Sequence, residues 1–136
     1  MRILGIDYGD ARVGVAITDE LEITAQGLET IPHTSDKNVL KRLEEIVNKY
    51  NVQVIVVGMP FNMNGTKGER VEITEKFIHK LKCKFNTIKI EAVDERLTTV
   101  AAHKTMNFLD INKKKKRSIV DTISAQYILE TYINKK

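Results

Sequence analysis

The chain has 136 residues, 42% of them hydrophobic and 29% charged, with a formal net charge of +4, which predicts one globular domain over residues 1–136 and leaves too little chain for two. No apolar run approaches the ~20 residues of a membrane helix, and Asp7 and Asp10 interrupt any leader-like segment near the N-terminus. One cysteine, Cys83, excludes an internal disulfide, so the expectation is a cytoplasmic protein with no membrane partner.

Arg2 to Ile17 carries two β-branched, apolar runs separated by a polar turn on Gly9 and Asp10. Both predict central strands covered on both faces. Asp7 falls at the end of the first. A carboxylate there is costly to desolvate unless a cation or donors compensate it, so it is either a ligand or the acceptor of turn amides at Tyr8 to Asp10. The local sequence leaves both open.

Ile23 to Ile31 contains a third strand of the meander. Thr34-Ser35-Asp36 then starts a helix, with Val39, Leu40, Leu43, Ile46 and Val47 at helical spacing and an end near Asn51. Val52 to Gly58 is the most apolar run and predicts a buried strand parallel to the first. It leads into the Asn- and Gly-rich stretch Met59 to Gly68, then a helix with Val71, Thr74, Phe77, Ile78 and Leu81 on one side. Such a loop entering a helix N-terminus suits an anion and serves equally well as a plain connection. It is neither a Walker loop nor a dinucleotide fingerprint.

Ile88 to Val93 alternates as a fifth strand and ends in Asp94-Glu95-Arg96-Leu97-Thr98-Thr99, from which a third helix containing Val100 to Phe108 departs. A loop from Leu109 carries the basic run Lys113-Lys114-Lys115-Lys116-Arg117. Ser118 is expected to open the final helix, with Asp121 three residues on as in a capping box. Read that way, Asp121 is an N-terminal helix acid worth ~1 kcal/mol. Cys83 reads as an inert helix-end or core thiol with no histidine to make it a nucleophile. The order β-β-β-α-β-α-β-α-α predicts one mixed α/β sheet with helices on its faces.

Parallel first, fourth and fifth strands would bring Asp7, Asp94-Glu95 and Asp121 to one rim, where open α/β sheets bind ligands. Clustered carboxylates call for a cation between them, and oxygen ligands suit Mg²⁺ or Mn²⁺. His33, His79 and His103 are too scattered for a zinc set. Two such ions activate water and stabilise the leaving oxygen in phosphodiester hydrolysis, with Asp7 as the bridging ligand and Glu95 and Asp121 completing the site. Asp94 stays open as an alternative to Glu95, because neighbouring strand residues face opposite ways. Arg12, Asn64, Lys67, Arg96 and the run Lys113, Lys114, Lys115, Lys116 and Arg117 are the candidate nucleic-acid contacts. With no Trp and 6% aromatic residues, backbone charge and shape are expected to dominate over base readout.

Four segments together resemble the YqgF-type proteins, described as Holliday-junction-resolvase-like or as pre-16S rRNA nucleases. They are Gly5-Ile6-Asp7-Tyr8-Gly9 with Arg12-Val13-Gly14-Val15-Ala16; Val57-Gly58-Met59-Pro60 with Met63-Asn64-Gly65 and Gly68; Val93 to Thr99; and Lys116-Arg117 with Asp121. The resemblance spans essentially the whole chain. It implies an RNase H-like fold, with a five-stranded mixed sheet whose second strand is antiparallel and helices on both faces. It also implies a metal-dependent nuclease whose acids map to Asp7, Glu95 and Asp121, acting on pre-16S rRNA or on branched DNA, with the small ribosomal subunit or its precursor as a partner. Either a monomer or a homodimer is compatible with it. The chain departs from the usual last motif, Asp followed closely by two alanines, since Asp121-Thr122-Ile123-Ser124-Ala125 keeps one. Two further readings stand: a non-catalytic nucleic-acid or ribosome-binding factor, and, remotely, an ATP-binding protein like actin or the sugar kinases, whose first phosphate loop is similar to Gly5 to Gly9.

Overall fold

The computed structural model describes residues 1–62, 64–95 and 113–134, without the side chains of 113–121. Its elements are β1 (Arg2–Tyr8), β2 (Arg12–Thr18), β3 (Ala25–Pro32), α1 (Asp36–Tyr50), β4 (Val52–Met59), α2 (Glu69–Lys84), β5 (Lys89–Asp94) and α3 (Lys113–Asn134). The five strands lie in the order β3-β2-β1-β4-β5. β2 is antiparallel to both neighbours, and β4 is parallel to β1 and to β5. This is the expected mixed sheet, and it aligns the carboxyl ends of β1, β4 and β5 on one rim.

The alternation of β1 divides the interior into two cores. Leu4, Ile6 and Tyr8 point to one face, where α1 and α2 bury Val39, Leu43, Ile46, Phe77 and Leu81. Ile3 points to the other, with Ala16, Val54, Val56 and Val93 beneath Ala125, Ile128 and Leu129 of α3. α1 forms where the sequence predicts it: Ser35 accepts from the Asn38 N–H at its start, and Asn51 takes the left-handed conformation at its end.

Small residues let α3 lie close to the sheet. A Cβ on Gly5 would stand 2.9 Å from the Ala125 carbonyl oxygen and 3.0 Å from Leu129 Cβ, and one on Gly27 would stand 3.0 Å from Thr122 Cβ. The helix therefore crosses from β3 (Thr122) over β1 (Ala125, Leu129) to β4, where Ile128 covers Gly58.

Two expectations change. The last helix begins at Lys113, not Ser118, so the basic run is its first turns rather than a loop, and Ser118 is not an N-cap residue. Lys and Arg are good helix formers, and nothing between 113 and 134 breaks the helix. Cys83 lies at the end of α2, one of its two expected places, and is exposed; it does have a histidine neighbour, contrary to expectation, with Sγ 3.7 Å from His79 Nε2. Arg96 and the expected helix from Val100 to Phe108 lie outside the described residues. Among the described residues no helix is long and apolar enough to cross a membrane.

Candidate active site

Asp7 is 6% exposed and shares the β1 face of Ile3 and Gly5, the one that α3 covers. Ile6 pairs with Val57, so Gly58, the next residue of β4, is the strand neighbour of Asp7. Gly58 explains how the second acid arrives. A Cβ there would stand 2.7 Å from Glu95 Oε1, 3.0 Å from Glu95 Cγ and 2.5 Å from Ile128 Cδ1. The Glu95 carboxylate thus lies directly over Gly58, on the same face as Asp7.

That geometry puts one of the two neighbouring acids, Glu95, on the face of Asp7. Val93 belongs to the α3 core and pairs with Gly58, while Asp94 pairs with Met59. Strand alternation turns Asp94 to the α2 side, and Glu95, two on from Val93, returns to the face of Asp7. Asp121 stands on α3 one turn before Ala125; its side chain lies outside the described residues. Among the described residues no three His, Cys, Asp or Glu side chains form a metal cluster; of the candidate acids Asp7, Glu95 and Asp121, the first two have described side chains, and these share one face.

The candidate phosphate contacts fall on the same rim in part. Arg12 starts β2 at the turn after Asp7, and Asn64 and Lys67 lie in the loop that leaves β4. Both loop residues have partners within the protein: Asn64 Oδ1 accepts from the Thr66 amide at 3.1 Å and its hydroxyl at 2.6 Å, and Lys67 Nζ is 3.4 Å from Glu75 Oε2. Glu69 and Glu72 occupy the first turn of α2 and already complement its dipole, which disfavours an anion there. Arg117 is one turn before Asp121 along α3. The side chains of Lys113 to Arg117, like Arg96, are outside the described residues.

Behind this rim, on the opposite face, the sequence concealed a polar clamp. Tyr8 stacks on Phe77 at 4.1 Å and donates its hydroxyl to Asp36 Oδ1 at 2.6 Å. His33 Nε2 lies 2.8 Å from the same oxygen, and Lys80 donates to Asp36 Oδ2 at 2.7 Å. His33 Nδ1 donates to the Gly9 carbonyl at 2.7 Å, and Arg70 donates to the Tyr8 carbonyl at 2.9 Å and pairs with Asp10. The turn following Asp7 is therefore tied to β3, α1 and α2. Burial works against ionisation of Asp36, yet hydrogen bonds from Lys80, Tyr8 and His33 outweigh it and hold its pKa down to about 2. Burial, then the bond to Asp36, pushes the Tyr8 hydroxyl well above its ordinary value.

A family model described as "RuvX: Holliday junction resolvase" matches residues 1–135. The chain belongs to the RuvX family. Relatives named "Putative pre-16S rRNA nuclease" include one from Ruminiclostridium cellulolyticum, 56% identical and covering 99% of this chain and 95% of the relative. Another, from Acetivibrio thermocellus, is 52% identical over 100% of this chain and 97% of its own length. Among solved structures, Thermus thermophilus RuvC in complex with a Holliday junction substrate superposes with a TM-score of 0.61 at 12% identity, over 99% of this chain and 94% of that one. The fowlpox virus Holliday junction resolvase does so with a TM-score of 0.60 at 18% identity, over the full length of both. At these identities the structural matches establish the fold, which is RNase H-like.

Proposed function

We propose that this RuvX-family chain is, over residues 1–136, a single divalent-metal-dependent nuclease domain that hydrolyses phosphodiesters in structured nucleic acid, with 5′-end maturation of pre-16S rRNA as its reaction. The observation that carries this is the Glu95 carboxylate lying over Gly58 beside buried Asp7. Two hard oxygen donors meeting on one face of the carboxyl rim fit Mg²⁺ or Mn²⁺ and not a soft metal. Asp7 and Glu95, with Asp121 from α3, are the ligands we assign. A pair of such ions, when bound, supplies water activation and stabilisation of the leaving oxygen.

The chain's own residues do the rest. Asp7 enters from the sheet, held by a strand paired on both sides. Glu95 lies over Gly58, a position that also holds the end of the Ile128 side chain. Arg12, Asn64, Lys67, Arg96 and the basic first turns of α3 draw in the phosphate backbone, so binding weakens with added salt. The substrate preference follows the relatives at 52% and 56% identity. The family description favours a second substrate, a four-way DNA junction.

Cleavage of a labelled 16S precursor 5′ fragment and of a synthetic four-way junction, in EDTA, Mg²⁺ and Mn²⁺, tests both. The expected result is metal-dependent cutting of the precursor that Asp7→Asn abolishes. Cutting of the junction alone would transfer the activity to DNA. No cutting of either, with nucleic-acid binding indifferent to metal and to Asp7→Asn, would make the chain a binding factor.

A further inference from the structure

Ser124 is fully buried, and its Oγ has no hydrogen-bond partner among the described residues. Buried hydroxyls nearly always find one. The usual remedy inside a helix is donation to the carbonyl one turn back, as Thr74 does to Arg70 at 2.8 Å and Thr131 to Tyr127 at 2.9 Å. Ser124 has that option and does not use it.

The packing of α3 shows where this hydroxyl lies. Ala125 and Leu129 cover Gly5, whereas Ile128 covers Gly58 against Glu95. The Ser124–Ile128 stripe therefore runs nearer the carboxyl rim than the Ala125–Leu129 stripe. Stepping back one turn from Ile128 moves along the helix from β4 towards β1. On β1, the rim-side residue of that face is Asp7, two residues beyond Gly5. The helix thus carries the unpartnered hydroxyl across the rim-side end of β1, towards Asp7.

Resting on the acidic-site reading above, we propose that Ser124 is a positioning residue of that site, its hydroxyl bonding a water in the hydration shell of the bound divalent ion. Mg²⁺ keeps several waters when protein-bound, and outer-shell partners commonly change metal affinity or activity 10–100-fold. A fully buried hydroxyl that bonds to neither carboxylate, on the helix that covers their face, suits that role.

Calorimetric Mg²⁺ and Mn²⁺ titrations and metal-free thermal melts of the full chain would compare wild type with Ser124→Ala, Ser124→Cys and Asp7→Asn. Both Ser124 variants lose the hydroxyl but differ in volume. The expected result is a metal-free Tm equal to or above wild type, because an unsatisfied group is removed, together with about tenfold weaker metal binding in both. Metal affinity within about twofold of wild type in both, while Asp7→Asn loses it, would overturn this inference alone and make the hydroxyl a packing defect. Asp7→Asn binding metal like wild type would instead overturn the acidic-site reading and this inference with it.

Discussion

Asp7 and Tyr8 are adjacent in β1, yet they serve opposite faces of the sheet and meet opposite chemistry. Tyr8 enters a network in which hydroxyl, imidazole, ammonium, guanidinium and carboxylate groups are matched to one another. Asp7 enters a face lined with glycine, where a second carboxylate lies over Gly58 and the covering helix carries a buried serine hydroxyl with no partner among the described residues. Saturated polar networks rigidify, whereas a buried hydroxyl without a partner marks a helix whose hydrogen bonding the described residues do not complete. The same strand end thus carries a structural side and a chemical side, separated by one residue of alternation.

The largest expected effect tests which acid belongs to the chemical side. Loss of a metal ligand removes several kcal/mol of transition-state stabilisation, which is at least about a hundredfold in rate. Glu95→Gln should therefore lose metal-dependent cleavage of the precursor by that factor, and Asp94→Asn should stay within about threefold. The reverse order would place Glu95, just beyond β5, outside the reaction and return Asp94 to the site.

Gly58→Ala sharpens the same point without touching a charge. The new methyl would collide with Glu95 Oε1 and Ile128 Cδ1. Ile128 can rotate its terminal carbon away; Glu95 must leave its place. Overpacking of this kind costs about 1–3 kcal/mol, and cleavage should fall about tenfold or more in protein that still folds, as read by calorimetric melting beside single-turnover rates. Wild-type rates in a folded Gly58→Ala protein would show that the carboxylate position over Gly58 is immaterial.

Much of this was legible in the residues, for physical reasons. The apolar runs of β1, β2 and β4 declare their burial, and Ser35 and Asn51 declare both ends of α1. Asp7 and the Asp94-Glu95 pair stand out because acids at the ends of buried strands are costly. The resemblance pointed to Glu95, but the residues alone left Asp94 open, because which of the two shares the face of Asp7 depends on the register that puts Gly58 under the Glu95 side chain. The start of α3 was misread because Ser118 and Asp121 mimic a cap, although lysines propagate a helix equally well. The clamp was hidden because Tyr8, His33, Asp36, Arg70 and Lys80 come from three elements and one turn far apart in the chain, and no local spacing joins them all.

On the structural side the expected sign is the opposite: stability changes and chemistry does not. Asp36→Ala would leave the Tyr8 hydroxyl, His33 Nε2 and Lys80 without their common acceptor, costing about 1–3 kcal/mol. Denaturant unfolding should show that loss, while the cleavage rate of the folded fraction stays within about threefold of wild type. A rate loss matching that of Glu95→Gln would join the two faces into one functional unit and end the distinction.

The smallest effect is a pH dependence confined to that network. Asp36 is held at about 2, below its ordinary 3.8, so between these values the unfolded chain binds the extra proton. The stability it contributes is complete above about pH 4 and is lost as the pH falls through about 2. The shift corresponds to on the order of 1–2 kcal/mol once solvent screening at a partly exposed carboxylate is allowed for. Urea unfolding of wild type and Asp36→Asn at pH 5, 3 and 2 isolates it, since the variant cannot titrate at this position. The stability gap between the two proteins should be constant above pH 4 and should narrow towards pH 2. A gap that stays the same across the whole range would mean that Lys80, Tyr8 and His33 do not hold Asp36 ionised, and the clamp would then rest on its stacking and backbone contacts alone.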